Sequence, residues 1–370
     1  MTTEVLPLRG VDHLRFFVGN ARQSAYFYRN AFGFEVVAYA GLETGLRHEA
    51  GYVLKQGNIT FVLASPLSAA HPDNQRLTLH GDSVQDIALE VDSVTQAYTE
   101  AVLRGAVGVT PPTCLEDAHG VYEFATIKAY GDTTHSFVNR DRYKGVFMPG
   151  YEPLDSDRYS PRSLSSRPTG LKAIDHVVAN VELGKMDTWV AFYEKVMGFA
   201  QLVHFDDKDI STEYSALMSK VVTGGRGRIK FPLNEPADGR RKSQIEEYLD
   251  YNGGPGVQHI ALATENIIET VKALRQNDVS FLSVPQSYYD ALPARVGDID
   301  EDMKTLSDLG ILVDRDDEGY LLQIFTKPVE DRPTVFFEII QRHGSQSFGK
   351  GNFKALFEAI EREQEKRGTL

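Results

Sequence analysis

Residues 254–263 read GPGVQHIALA, and residues 81–90 read GDSVQDIALE. Aligned without a gap, the central V-Q-x-I-A-L positions differ at one place, where the earlier copy has Asp86 and the later copy has His259. Histidine is the commonest metal ligand among the side chains. A strand that occurs twice and differs mainly at such a residue predicts that one half of the chain holds a site that the other half lacks.

The sequence around these two strands repeats as well. Residues 11–18 (VDHLRFFV) predict a strand, and residues 21–32 (ARQSAYFYRNAF) predict a helix that ends at Gly33. Residues 174–181 (IDHVVANV) and 186–197 (MDTWVAFYEKVM) repeat the pattern. The two copies are much further apart than the roughly 20–50 residues of solenoid repeats, which indicates a domain duplication.

Each half is itself doubled, because a strand and a helix begin again near its middle. We therefore predict the α+β class, with four β-α-β-β-β modules that start near residues 11, 84, 174 and 257. The last module contains an insertion over residues 286–309, which are rich in Asp and Tyr.

Three segments follow from this repeat. Residues 1–150 form a first domain, the stretch 151–170 is a linker rich in Pro and Ser, and residues 171–370 form a second domain. Residues 353–363 predict an amphipathic helix that has no counterpart in the first half. Because glycines precede it and its apolar stripe needs a partner, we expect this helix to act as a gate over the site.

Composition excludes several classes of protein. The chain has 370 residues, a net charge of −13 and one cysteine, Cys114. An acidic chain of this kind argues against binding to nucleic acid or to an anionic membrane surface. The sequence contains no run approaching the roughly 18 apolar residues of a spanning helix, and its start lacks the apolar core of a secretory signal. We expect a cytoplasmic protein.

Three residues of the second half form a candidate metal site. His176 and His259 lie on the first strands of the third and fourth modules, and Glu338 lies in the apolar run 333–341. Two histidines and one carboxylate are the ligand set of non-haem Fe(II) oxygenases. The alternative is that Glu338 pairs with Arg342 and that each histidine is an ordinary core residue.

The first half offers a poorer set at the corresponding positions. Aligning Arg342 with Arg140 places Glu338 opposite Ser136. His13, Asp86 and Ser136 are not a good metal triad, since a serine hydroxyl replaces the carboxylate and an aspartate replaces one histidine. We therefore expect the first domain to hold no metal.

Several longer stretches resemble one known family. PLNEP at 232–236, LLQIFTKP at 321–328 and FGKGNF at 348–353 are similar to the 4-hydroxyphenylpyruvate dioxygenase family, of the vicinal oxygen chelate superfamily. The resemblance implies a glyoxalase-like fold in which paired modules form two open barrels. It also implies an Fe(II) enzyme that converts 4-hydroxyphenylpyruvate and O2 to homogentisate and CO2 in tyrosine and phenylalanine catabolism. We expect a homo-oligomer, either a dimer or a tetramer.

The same resemblance implies the residues of a substrate pocket. Its polar groups would be Ser215, Asn234, Gln244, Gln258 and Gln323. Its walls would be Pro232, Phe325, Phe336, Phe348, Phe353 and Leu356. Gln258 directly precedes His259, so on a regular strand it should point to the opposite face.

Three other functions are compatible with parts of this pattern. Hydroxymandelate synthase shares the fold, metal and substrate, but the position matching Asn234 is expected to be apolar there. An extradiol catechol dioxygenase shares the triad but lacks the FGKGNF stretch. A non-catalytic small-molecule binding protein of the same fold would show neither iron nor oxygen uptake.

Overall fold

The computed structural model describes residues 6–154, 167–205, 216–237 and 239–370. Most of the predicted linker therefore lies outside the described residues, and the domain boundaries stay a prediction. Within the described ranges, no helix is both long and apolar enough to span a membrane.

The first half is built on one large sheet. Its strands are β1 (Leu8–Phe17), β2 (Glu35–Ala40), β3 (Glu49–Gln56), β4 (Ile59–Pro66), β5 (Ser83–Val91), β6 (Gly108–Asp117), β7 (Gly120–Lys128), β8 (Thr134–Asn139) and β9 (Glu152–Pro153). Its helices are α1 (Ala21–Phe32), α2 (Asn74–His80) and α3 (Val94–Leu103). The strands lie in the order β6-β7-β8-β5-β1-β4-β3-β2-β9, and β1 joins the two modules by antiparallel pairing with β5.

The second half repeats this plan. Its strands are β10 (Leu171–Asn180), β11 (Ala200–Phe205), β12 (Ala216–Gly224), β13 (Ile229–Ala237), β14 (Gly256–Thr264), β15 (Leu312–Asp316), β16 (Gly319–Phe325) and β17 (Phe336–His343). Its helices are α4 (Met186–Lys195), α5 (Gln244–Asn252), α6 (Ile267–Gln276), α7 (Gln286–Val296), α8 (Met303–Leu309) and α9 (Phe353–Arg367). The strand order is β11-β12-β13-β10-β14-β17-β16-β15, with β10 paired to β14 as β1 is to β5.

The predicted α+β fold is confirmed. The four modules are β1-α1-β2-β3-β4, β5-α3-β6-β7-β8, β10-α4-β11-β12-β13 and β14-α6-β15-β16-β17, and the predicted insertion forms α7 and α8. Two helices that precede the second and fourth modules, α2 and α5, were not predicted from the sequence. The start of α5 carried a recognisable signal, because Ser243 and Glu246 form a capping box that satisfies exposed backbone amides at the helix start.

Local sequence explains why the first module helix begins and ends where it does. The Asn20 side chain accepts a hydrogen bond from the Gln23 amide and caps the start of α1. Gly33 ends the helix with φ of 77°, a left-handed conformation that favours glycine. Between these ends, Ala25, Tyr28 and Phe32 are buried against the sheet as their spacing predicts.

The two halves share one apolar core. Phe337 on β17 is fully buried, and its ring lies 4.9 Å from that of Phe32 and 6.1 Å from that of Phe61 in the first half. A second contact is polar, because the Tyr193 hydroxyl of α4 donates to Nε2 of His135 on β8 over 2.7 Å. Glu338, the next residue on β17, therefore lies on the face of the strand opposite Phe337.

Candidate metal centre

Strand pairing brings the three predicted ligands together. Ala261 on the central strand β14 lies opposite His176 on β10 and opposite Glu338 on β17. His259 lies two residues before Ala261 and therefore shares its face of the sheet. The ligand atoms of His176, His259 and Glu338 all lie within 4.8 Å of one another, and all three residues are buried.

Two β-bulges shape the site. The pairing of β10 with β14 shifts register between residues 174 and 176 and again between residues 257 and 259. Asp175 and Gln258 are the extra residues, and a bulge turns such a residue out of the regular alternation. Gln258 consequently lines the same cavity as His259, so the expectation that it points to the opposite face is wrong.

Both extra residues hold the neighbouring histidine ring. His176 Nδ1 donates to Asp175 over 2.8 Å, and His259 Nδ1 donates to the Gln258 side-chain oxygen over 2.9 Å. Each Nε2 atom is left to face Glu338, at 3.1 Å from His176 and 3.6 Å from His259. Such partners fix the tautomer and the ring direction of a metal-binding histidine.

Arg342 does not pair with Glu338, which the alternative interpretation required. Its guanidinium donates twice to Asp175, with both bonds at 2.8 Å, and so extends the chain of contacts behind His176. The charged neighbours of the Glu338 carboxylate are therefore the imidazole rings of His176 and His259.

The charges of the site are strongly coupled. Burial alone would raise the pKa of Glu338, but the adjacent His176 and His259 lower this pKa to about 2. Burial would lower the pKa of His176, yet the neighbouring carboxylates of Glu338 and Asp175 raise it. Burial lowers the pKa of His259. A buried anion between two imidazoles fits a bound cation, which could take the place of the protons that the carboxylate otherwise attracts.

A cavity of about 80 Å³ opens onto the three residues. Every residue predicted for the substrate pocket lines it, apart from Ser215, which lies outside the described residues. These lining residues are Pro232, Asn234, Gln244, Gln258, Gln323, Phe325, Phe336, Phe348, Phe353 and Leu356. The Phe336 ring stacks on His259 at 4.7 Å, and the Phe325 ring meets the same imidazole edge-on at 6.1 Å. Their roles stay predictions.

Part of this lining was not predicted from the sequence. Phe357 follows Phe353 by one helical turn on the apolar stripe of α9, and Val178 follows His176 by two residues on β10, so both positions were accessible from periodicity. Ser219 and Val221 were not accessible, because they face the cavity through the pairing of β12 with Asn234 and Pro232 on β13.

The first half has the same strand register without the ligand set. Ala88 on β5 lies opposite His13 on β1 and opposite Ser136 on β8. Ala261 lies in the same way opposite His176 and Glu338. Glu338 and Ser136 are thus at equivalent positions, as the sequence alignment placed them. Among the described residues, the grouping that could hold a metal ion is the one in the second half.

Comparison with known proteins places this arrangement in a class. The chain matches the Glyoxalase/Bleomycin resistance protein/Dioxygenase superfamily over residues 10–125 and 173–324. The two matched segments cover most of the two sheets. The fold and the buried two-histidine, one-carboxylate group are those of a metal-dependent member of this superfamily.

Similar chains narrow the class to one family. A protein of Dictyostelium discoideum named 4-hydroxyphenylpyruvate dioxygenase is 51% identical over 98% of this chain and 100% of its own length. A protein of the same name from Danio rerio is 48% identical over 97% of this chain and 91% of its own length. The chain belongs to the 4-hydroxyphenylpyruvate dioxygenase family.

A solved structure shows the same overall fold. It is a triple mutant of 4-hydroxymandelate synthase from Streptomyces coelicolor, with a TM-score of 0.86 and 32% sequence identity. The similarity covers 97% of this chain and 100% of that one.

Proposed function

We propose that this chain is an Fe(II)-dependent dioxygenase that converts 4-hydroxyphenylpyruvate and O2 to homogentisate and CO2 in tyrosine and phenylalanine catabolism. The observation that carries the proposal is the position of the His176, His259 and Glu338 group at an aromatic cavity that also contains amide side chains. The sequence identity to relatives of that name supports the choice of substrate.

The donor set fits iron. Two neutral imidazole nitrogens and one carboxylate oxygen are the donor set of non-haem Fe(II) oxygenases, and His176, His259 and Glu338 would hold the ion. A bound Fe(II) supplies electrons to dioxygen and a template on which the reactants meet. Asp175 and Gln258 orient the two histidines toward the ion, because each accepts the Nδ1 proton of its ring.

The chain's own residues bind and orient the substrate. Gln323 Oε1 and Asn180 Nδ2 are buried without a hydrogen-bond partner among the described residues, and Gln323 lines the cavity. An unsatisfied buried amide oxygen favours a ligand that carries a hydroxyl donor, such as a phenol. The rings of Phe325 and Phe336 hold the aromatic part of the substrate beside His259.

Helix α9 forms the gate of this site. Phe353, Leu356 and Phe357 on its inner face line the cavity. Its outer end is tied by Arg367 to the buried Glu247 at 2.8 Å, and Lys327 holds Glu363 at 3.0 Å. Its inner face also packs into buried apolar clusters through Phe357 and Ile360. We infer that this helix, entered through Gly349 and Gly351, opens for substrate and closes against water.

The location and assembly are part of the same proposal. We place the enzyme in the cytoplasm as a dimer or tetramer, with one iron ion per chain and none in residues 1–150. Size-exclusion chromatography with light scattering measures the assembly, and elemental analysis measures the iron content.

Product identification tests the proposed reaction. The purified chain is loaded with Fe(II) under anaerobic conditions, mixed with 4-hydroxyphenylpyruvate and then exposed to oxygen. We expect one equivalent of O2 consumed and one of CO2 released for each homogentisate formed, measured by oxygen electrode and chromatography. Absence of oxygen uptake with the iron-loaded protein would contradict the proposal.

One other product is supported by a specific observation. The solved neighbour at 32% identity is a 4-hydroxymandelate synthase, and its fold covers nearly the whole chain. The relatives at 48–51% identity favour homogentisate, as does Asn234, a buried polar residue in the cavity lining. Predominant hydroxymandelate in the chromatogram would replace the proposed product while leaving the metal site unchanged.

A further inference from the structure

The first half contains a cavity of about 600 Å³ that the proposed reaction does not use. It lies on the face of the first sheet that corresponds to the metal site of the second, since His13, Asp86 and Ser136 are all in its lining. The cavity is larger than the one at the metal centre, and charged side chains contribute much of its wall.

Asp86 is a buried carboxylate at the position that His259 occupies in the second half. It is 5% exposed and accepts a hydrogen bond of 2.5 Å from the Thr134 hydroxyl. Arg15 is the nearby cation on the neighbouring strand, but its guanidinium pairs with Glu49 at 2.5 Å. Burial raises the pKa of Asp86. Hydrogen bonds from Thr134 and Ser136 and the charges of nearby His13 and Arg15 act in the opposite direction. The hydrogen bonds of Asp86 come from neutral hydroxyl groups, so a ligand ammonium group would give this carboxylate a directly bonded cation.

Arg76 supplies the opposite charge in the same cavity. It donates to the backbone oxygens of Asp132 at 2.7 Å and Val84 at 2.9 Å, and to the Ser83 hydroxyl at 3.4 Å. None of these acceptors is charged, and the Arg76 Nε atom is buried without a hydrogen-bond partner among the described residues. Burial lowers the pKa of Arg76, and the nearby carboxylates of Asp132 and Asp73 raise it without a hydrogen bond to the guanidinium. A guanidinium without a directly bonded carboxylate favours a carboxylate ligand.

Arg76 and Asp86 line neighbouring parts of the cavity wall. Arg76 donates to the Val84 backbone oxygen, and Val84 lies two residues before Asp86 on β5. A ligand with an ammonium and a carboxylate on the same carbon atom carries both of the charges that such a pair attracts. The remaining wall includes Tyr122 and Phe124, whose rings stack at 5.9 Å.

We propose that this cavity binds a free α-amino acid with an apolar or aromatic side chain, with its ammonium group on Asp86 and its carboxylate on Arg76. The aromatic rings of Tyr122 and Phe124 contact the side chain of the ligand. The site does not require the metal centre and is independent of the proposed reaction.

Binding of L-phenylalanine to the full chain, measured by isothermal titration calorimetry, tests this site. We expect saturable binding that is weakened about tenfold or more by Asp86→Asn, because the neutral amide no longer attracts the ammonium group. Glu116→Gln, an exposed carboxylate on β6 outside the cavity lining, is the matched control and should change the affinity less than about twofold. His259→Ala, which alters the metal centre, should also leave the affinity unchanged.

Two ligand analogues test the site without any substitution. Phenylpropionate lacks the ammonium group and phenethylamine lacks the carboxylate, so each should bind about tenfold more weakly than L-phenylalanine. Asp86→Asn should keep the melting temperature within a few degrees, since the amide oxygen still accepts the Thr134 hydrogen bond. Absence of saturable binding, analogues that bind as well as the amino acid, binding retained in Asp86→Asn, or binding lost in His259→Ala would each overturn the proposal.

Discussion

At the scale of single residues, the protein shows how a duplicated scaffold acquires different chemistry in its two halves. Ala88 and Ala261 occupy the same place between equivalent strands. The residue two positions earlier is Asp86 in one half and His259 in the other. With Ser136 in place of Glu338 as well, the three equivalent positions of the first half offer a poorer ligand set for a metal ion.

Metal content tests this asymmetry directly. His259→Ala removes one of three ligands, so we expect the iron content to fall from about one ion per chain to near zero and oxygen uptake to be lost. His13→Ala removes the equivalent of His176 in the first half and should leave the iron content unchanged. Stoichiometric iron in the His259→Ala variant would show that the assignment of the site is wrong.

Asp175, which holds the His176 ring, should affect the iron affinity although it is not itself a ligand. Asp175→Asn weakens the acceptor for His176 Nδ1 and the pair with Arg342, so we expect about 10–100-fold lower iron affinity. Asp12→Asn is a matched control, because Asp12 accepts from His13 and pairs with Arg140 in the first half. A competition assay with a chelator measures both variants, and equal losses of iron affinity would argue against a positioning role for Asp175.

Phe325 should influence which product forms. Its ring faces His259 edge-on and lies 6.3 Å from that of Phe336, so Phe325→Leu leaves the substrate ring room to move. A displacement of about 1 Å can change a rate by 10²-fold or so, and we expect more hydroxymandelate and less homogentisate. Phe281→Leu removes a buried ring outside the cavity lining and serves as the control. An unchanged product ratio in the chromatogram of the Phe325→Leu reaction would contradict this role.

At the scale of elements, the bulges and helix α9 decide the shape of the site. The strands β10, β14 and β17 carry the candidate ligands. The bulge at Gln258 turns a further side chain into the cavity, and the bulge at Asp175 places a carboxylate behind His176. Helix α9 then covers the cavity with one apolar face. The ring of Phe353 meets Phe205 edge-on at 4.8 Å, so this helix also packs against the edge strand β11.

Truncating the inner face of α9 should affect binding more than folding. Phe353→Ala removes an aromatic contact and part of the cavity wall, so we expect about tenfold weaker binding of substrate, equivalent to about 1.4 kcal/mol. The melting temperature should fall by only a few degrees, because Phe353 is only partly buried. Lys354→Ala on the exposed face is the control. Anaerobic titration gives the affinities, and a large loss of thermal stability with unchanged affinity would make Phe353 a purely structural residue.

At the scale of the whole molecule, the two halves are coupled through their shared interior. His135 is fully buried, donates through Nδ1 to the Ile87 carbonyl at 3.1 Å and accepts from the Tyr193 hydroxyl of the other half. Burial lowers the pKa of His135 to about 4, so the ring stays neutral in the folded protein over most of the acidic range.

This histidine predicts a pH dependence of stability. Between pH 6.5 and pH 4 the unfolded chain binds a proton that the folded chain does not, so the free energy of unfolding falls as pH falls. The contribution of His135 should be about 2 kcal/mol between pH 7 and pH 5. Urea unfolding of the native chain and of His135→Phe measures it, because only the native chain carries this contribution. Parallel pH profiles for the two proteins would contradict the prediction.

Much of this architecture was determined by the sequence itself. Periodicity and glycine positions gave the four modules, and the bounds of α1 and α3 follow from local caps and apolar stripes. The difference between Asp86 and His259 in a repeated strand identified the half that contains the candidate metal site. These features are local, since a helix cap or a strand pattern is decided by residues close together in the chain.

Features that depend on register were decided only by the tertiary structure. The direction of Gln258 depends on a bulge against β10, and the contribution of Ser219 depends on its pairing with β13. The cavity of the first half arises where Arg76 of a helix that the sequence analysis missed meets the concave sheet around Asp86. A side-chain period of two reverses when one residue is inserted, so no pattern along a single strand can settle which groups face each other across a sheet.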